Sequence, residues 1–164
     1  MALPTPPTQN RSSSHMALVI REAKSSEVNH LVEASTILMQ SLYPEESIHL
    51  VDSDDLSEPG NLLLGAEDLD TLIGCVGYVD KGDYAEVKRL FVSQEFRGQG
   101  VARVLMAELE SRAFAAGYTV MRLETGTHQP ESMRLYESLG YHIRTPFGGY
   151  IDDPLSVFME KKLT

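Results

Sequence analysis

Glu86-Val-Lys-Arg-Leu-Phe-Val92 and, after a short turn, Arg97-Gly-Gln-Gly-Val-Ala102 are the residues in this chain best suited to chemistry. The first stretch reads as a strand, and the glycines of the second open directly into an amphipathic helix. Such a turn aims several backbone N–H groups and the positive end of a helix dipole at one spot, which suits a phosphate or pyrophosphate. Glu86 stands close enough in sequence to share that spot as a base. The turn is not a triphosphate loop, since no Gly-Lys-Ser/Thr follows at the required spacing. Nor is it a complete dinucleotide fingerprint: Gly98 and Gly100 fit the first two glycines, but Arg103 stands where the third is needed.

The elements that must hold these residues alternate in type. Ala17 to Arg21 reads as a short strand, and a serine, Ser25 or Ser26, can cap a helix to about Ser41 with Val28, Leu31, Val32, Ser35, Leu38 and Met39 on one face. Pro44 ends it, a second short helix is expected over Glu45 to Val51, and Asp52 to Gly60 reads as a loop. Asn61 to Glu67, Thr71 to Asp80 and Tyr84 to Val92 are strands joined by connections short enough for hairpins, an antiparallel meander. A helix follows over Gly100 to Ala116, with Val101, Val104, Leu105, Leu109 and Ala113 facing inward, Glu108 and Arg112 paired outside and Gly117 as its cap. Thr119 to Thr125 is a strand and Glu131 to Leu139 a helix, with Pro130 in its first turn and Gly140 at its end. Tyr141 to Ile143 and Leu155 to Lys161 are the last strands, so the expected architecture is a mixed sheet with helices on both faces.

Composition narrows the function classes. A chain of 164 residues fits one domain with a real core. The net charge of -10 argues against a nucleic-acid surface, which needs clustered Lys and Arg. The single cysteine, Cys75, cannot form an internal disulfide and fits a reducing, cytoplasmic compartment. No apolar run approaches the roughly 18 residues that span a membrane. Histidines 15, 30, 49, 128 and 142 lack metal-ligand spacing, so no metal is expected. Residues 1–15 are proline- and serine-rich, and Ser14-His15-Met16 resembles a cloning scar. They are expected to be a disordered leader or an expression remnant ahead of one domain over residues 16–164.

Two motifs carry a family resemblance. Arg97-Gly-Gln-Gly-Val-Ala102 resembles the Arg/Gln-x-x-Gly-x-Gly/Ala signature of the GNAT N-acetyltransferase superfamily. Leu135-Tyr-Glu-Ser-Leu-Gly-Tyr141 is similar to its second signature, and the order of elements from Ala17 to Lys161 follows the family. The resemblance implies an α+β fold: a six- or seven-stranded, mostly antiparallel mixed sheet with splayed central strands and about four helices. It also implies acetyl-CoA as co-substrate and direct acetyl transfer to the primary amine of a small molecule, such as an amino acid. Backbone groups of Leu90, Phe91 and Val92 would then hold the pantetheine arm and polarise the thioester. Arg97, Gly98, Gln99, Gly100, Val101 and Ala102 would hold the pyrophosphate. Gln129 stands where the family commonly has Asn. Glu86 matches a frequent family base, against the alternative of an exposed carboxylate paired with Lys88, and Tyr136 matches the acid that protonates the leaving thiolate. A homodimer is a further expectation.

Other residues could meet the acceptor. Glu124, Asp152 or Asp153 could attract an amine, Arg144 could pair with a carboxylate, and His128 and Tyr150 could contact the substrate. Cys75, in Ile-Gly-Cys-Val-Gly, reads as a small buried core residue. Pro44 to His49 and Phe147 to Phe158 are similar to a bacterial subgroup of these acetyltransferases, some connected with indole-acetic acid metabolism. An acetyl-CoA-binding sensor and a protein-tail acetyltransferase are the competing functions.

Overall fold

The computed structural model describes residues 17–164, so the leader expected over residues 1–15 lies outside the described residues. Seven strands form one sheet: β1 (Leu18–Glu22), β2 (Leu62–Asp68), β3 (Thr71–Asp80), β4 (Ala85–Val92), β5 (Val120–Gly126), β6 (His142–Arg144) and β7 (Ser156–Lys162), in the order β1-β2-β3-β4-β5-β7-β6. The helices are α1 (Asn29–Leu42), α2 (Val101–Ala115) and α3 (Pro130–Ser138). All neighbours are antiparallel except β4 and β5. The β2–β3 hairpin closes through Leu69 and Asp70, both at positive φ, the primed turn that matches strand twist.

Period-two alternation sorts the core onto the two faces of the sheet. Leu64 of β2 and Ile73 of β3 pack with Leu105, Met106 and Leu109 of α2. Their neighbours Leu63 and Leu72 pack on the other face with Leu31 of α1. Leu105 is fully buried, so Leu105→Ala is expected to cost about 2–5 kcal/mol in urea unfolding, with an unchanged m-value.

Three sequence expectations need correction. Glu45 to Val51 forms only a 3-10 turn, Glu45–Ser47, after which Ile48 is extended. The Ser47 hydroxyl donates to Asp153 at 2.7 Å, a distant partner that a local helix signal cannot register. Val104 is 44% exposed, because the buried stripe of α2 runs 101, 105, 109, 113 and widens toward Met106. The serines offered as an N-cap form a 3-10 turn, Ser25–Glu27; there the Glu27 carboxylate accepts from the Lys24 N–H at 2.9 Å and pairs with Arg21 at 2.7 Å. Three α-helices stand among the described residues. No helix among the described residues is long and apolar enough to cross a membrane.

The feature that positions the site is the β4–β5 junction. The two parallel strands pair only at Ala85–Met121 and Glu86–Arg122, and no ladder joins them beyond. The sheet opens there into a V, and beyond Glu86 that edge of β4 has no strand paired beside it.

Candidate active site

A cavity of about 600 Å³ fills the mouth of the V. Leu90, Phe91 and Val92 form one wall, the Arg97 to Ala102 turn forms the floor, and Gln129, Pro130 and Leu135 of the α3 segment lie opposite. Gly98 and Gly100 have φ of 75° and 84°, backbone that only glycine adopts cheaply. A methyl group on either would touch no protein atom within 4 Å, so both glycines face open space. No side chain caps the first turn of α2, whose 15 residues sum their dipole at this floor. Arg97 holds the corner, donating from Nε to the Val92 carbonyl at 2.9 Å and stacking on Phe91 at 5.1 Å. Gln99 turns away, its amide on the Glu95 carbonyl, and only its backbone belongs to the turn. Gly100→Val should therefore raise KM for an anionic cofactor about tenfold and leave KM for the second substrate unchanged, which bisubstrate kinetics would separate.

A second cavity of about 100 Å³ opens from the first, sharing Leu38, Leu90, Phe91, Gln129 and Ser132 with it. Tyr136 and Glu124 line it together. Burial pushes the Tyr136 hydroxyl well above the usual phenol range, with the Glu124 charge adding to it, so the phenol stays protonated at neutral pH. Burial likewise raises the Glu124 carboxyl to about 7, against the opposing pull of Ser156 and Lys88 and with a small push from Glu86. A protonated phenol and a carboxyl poised near neutrality thus share one small chamber.

Glu86 has the partner that one alternative gave it, Lys88, but not the exposure. It is 3% exposed rather than a surface carboxylate, and it lines neither cavity. Its Oε2 accepts from Tyr150 Oη at 2.5 Å and pairs with Lys88 Nζ at 3.0 Å, while Lys88 also donates to Tyr150 at 2.5 Å. Of these two partners Lys88 lines the smaller cavity, whereas Tyr150, an expected substrate contact, lines neither. Tyr150 is itself held above the phenol range, first by burial and then by its bond to Glu86.

The remaining candidates separate. His128 lines the larger cavity, stacked on Tyr43 at 5.1 Å, and its backbone N–H donates to the Tyr43 hydroxyl at 2.9 Å. That hydroxyl donates to Gln129 Oε1 at 3.4 Å. Gly126 makes the arrangement possible, since any side chain there would collide with the Tyr43 ring. Arg144, expected to meet a substrate carboxylate, pairs with Glu160 at 3.0 Å from the edge strand β6 and lines neither cavity. Asp153 accepts from Ser47 and from the Leu155 N–H, and Asp152 is exposed; neither lines either cavity. Cys75 is buried with its thiol pushed up to about 12 by burial, an unreactive core residue. His49 and Arg89 line the smaller cavity, yet no motif singled them out; their only sequence signal is proximity to Glu86 and Pro44.

The geometry has counterparts among known proteins. A model of the acetyltransferase (GNAT) family matches residues 27–141. An IAA acetyltransferase of Azospirillum brasilense is 41% identical over 138 residues, covering 83% of this chain and 90% of that protein. The crystal structure of a candidate acyl-CoA N-acyltransferase from Klebsiella pneumoniae superposes with a TM-score of 0.79 at 30% identity, covering 90% of this chain and 99% of that one. The PaiA N-acetyltransferase of Thermoplasma acidophilum, solved with coenzyme A, gives a TM-score of 0.72, covering 90% and 99% of the two chains; at 21% identity this likeness concerns the fold alone.

Proposed function

Because the chain belongs to the GNAT acetyltransferase family, we propose that it moves an acetyl group from acetyl-CoA directly to the primary amine of a small molecule. The observation that carries this reading is the chamber where Glu124 and Tyr136 meet at the inner end of the larger cavity. Its volume of about 100 Å³ suits a small acceptor better than a protein tail. The residues present fit the co-substrate: bare glycines and an uncapped helix start suit a pyrophosphate, and the unpaired edge of β4 suits amide groups of an extended arm. When bound, acetyl-CoA supplies the acetyl group as an activated thioester.

The protein's residues then manage protons. An amine of pKa near ~10.4 enters as an ammonium without a free lone pair. Glu124, with a carboxyl near 7, accepts one of its protons and frees the nitrogen to attack. As the C–N bond forms and the C–S bond breaks, the Tyr136 hydroxyl gives its proton to the departing sulfur. A second proton from the nitrogen restores the phenol. Glu86 acts from behind: its charge holds Lys88 and Tyr150 in place, and of the two Lys88 lines the chamber. A cytoplasmic location suits the lone thiol of Cys75.

The test is a screen of primary amines with acetyl-CoA, read by thiol release. Turnover with a small amine supports the reading. Turnover only with peptide N-termini or lysine side chains would overturn the small-molecule part, and none with any amine would sink it altogether.

A further inference from the structure

The smaller cavity carries a charge that acetyl transfer leaves unused. Lys88 there is matched by Glu86, but Arg89 is not. Its Nε donates to the Val51 carbonyl at 2.8 Å and its Nη1 to the Thr36 hydroxyl at 3.1 Å, both neutral acceptors. Among the described residues no carboxylate lies within ion-pair distance of its guanidinium; Asp52 acts on it only through space. Burial strips enough water from this group to pull its pKa below the ordinary arginine value. A half-buried guanidinium with neutral partners keeps its charge and further N–H donors to offer.

The backbone brings this charge into the cavity. Cys75 pairs with Phe91 and Gly77 with Lys88, so Arg89 and Leu90 bulge opposite the single residue Val76. On a regular strand Lys88 and Arg89 would point to opposite faces. With Arg89 at a φ of 60°, both line the same chamber. Left-handed backbone is unfavourable for any residue but glycine, and such strain collects where function needs it. Glu124 lines the chamber too and makes no ion pair with Arg89. One small space is therefore lined both by Glu124 and by an arginine whose charge no ion pair matches.

We propose that the acceptor is a free amino acid, its ammonium directed to Glu124 and its carboxylate gripped by Arg89. The assignment rests on the acetyl-transfer reading above and adds the recognised acid group to it. A guanidinium fork takes a carboxylate through two parallel bonds, which a simple amine cannot supply. Without that carboxylate the buried charge stays unmatched, and this penalises acceptors that lack it.

The proteinogenic amino acids, each beside its C-terminal amide, and a set of simple alkyl amines provide the test, with acetyl-CoA and thiol release as readout. The amide has the less basic amine, so a preference for the acid runs against intrinsic reactivity. At least one free acid should exceed its amide by about tenfold or more in kcat/KM, with the difference in KM. Arg89→Gln should remove that preference by raising KM for the acid until acid and amide are used alike. Should Arg89→Gln fail to fold, the comparison of acid with amide in the unaltered protein decides alone. Equal use of acids and amides, turnover of alkyl amines only, or a preference that survives Arg89→Gln overturns the proposal while acetyl transfer stands. Absence of turnover with every primary amine instead overturns the acetyl-transfer reading and this proposal with it.

Discussion

Tyr136→Phe is expected to lower kcat by about 10²–10⁴-fold while acetyl-CoA affinity stays unchanged. The substitution deletes one hydroxyl and keeps the ring, which packs edge-on against Tyr141 at 5.7 Å inside the main core. Burial keeps that hydroxyl protonated at every pH where an amine acceptor works, so it is a standing proton source for the leaving sulfur. Stopped-flow kinetics with equilibrium binding of acetyl-CoA would divide the two effects, and a melting curve would verify folding. Undiminished turnover in Tyr136→Phe means that the proton reaches the sulfur by another route.

Glu124→Gln is expected to cost about as much in kcat and, in addition, to reshape the pH profile. In the unaltered protein, acceptor kcat/KM should climb with pH through about 7 as Glu124 ionises and fall again near the amine's own pKa, where the ammonium it deprotonates is lost. Glu124→Gln should lack the rise through about 7 and climb only toward the amine's own pKa, where free amine appears. Stability moves the opposite way. The folded carboxyl titrates at about 7 against an ordinary 4.5, so the fold holds this proton more tightly than the unfolded chain does. The protein is therefore most stable, with respect to this group, below pH 4.5, and it loses that contribution as pH rises through 7. At pH 8 the penalty is on the order of 3 kcal/mol, and Glu124→Gln should recover part of it there and none at pH 4. Denaturant titrations at the two pH values would measure this. A variant that gains nothing at pH 8 would show that Glu124 titrates normally and is no poised base.

The two carboxylates illustrate what can be read along the chain. Glu86 and Glu124 each stand on a strand ahead of a motif, and their residue types alone do not rank them. Glu86 matches a family position and so appears the stronger base, yet Tyr150, 64 residues on, covers it and Lys88 neutralises it. Glu124 has only sequence proximity to Gln129 in its favour, but β5 turns it into the chamber beside Tyr136. Arg89 is a plain strand arginine until the bulge opposite Val76 rotates it into the cavity. Arg144 is the reverse case, a cation read as the start of a loop that instead ends strand β6, with its partner Glu160 on the neighbouring strand β7.

Whatever depends on neighbours a few residues apart was determined by the sequence. The glycine turn before α2, the strand meander, the caps at Gly117 and Gly140 and the Tyr136 signature all rest on local backbone preference and short-period burial. The tertiary structure decided which side chains meet and how dry they are. Chamber membership, the raised pKa values of Glu124 and Tyr136 and the unmatched charge of Arg89 arise where β4 and β5 part and distant loops close over them. The reason is physical: desolvation and charge pairing depend on distance in space, and a one-residue bulge or a contact between residues 47 and 153 leaves no local trace in composition or period.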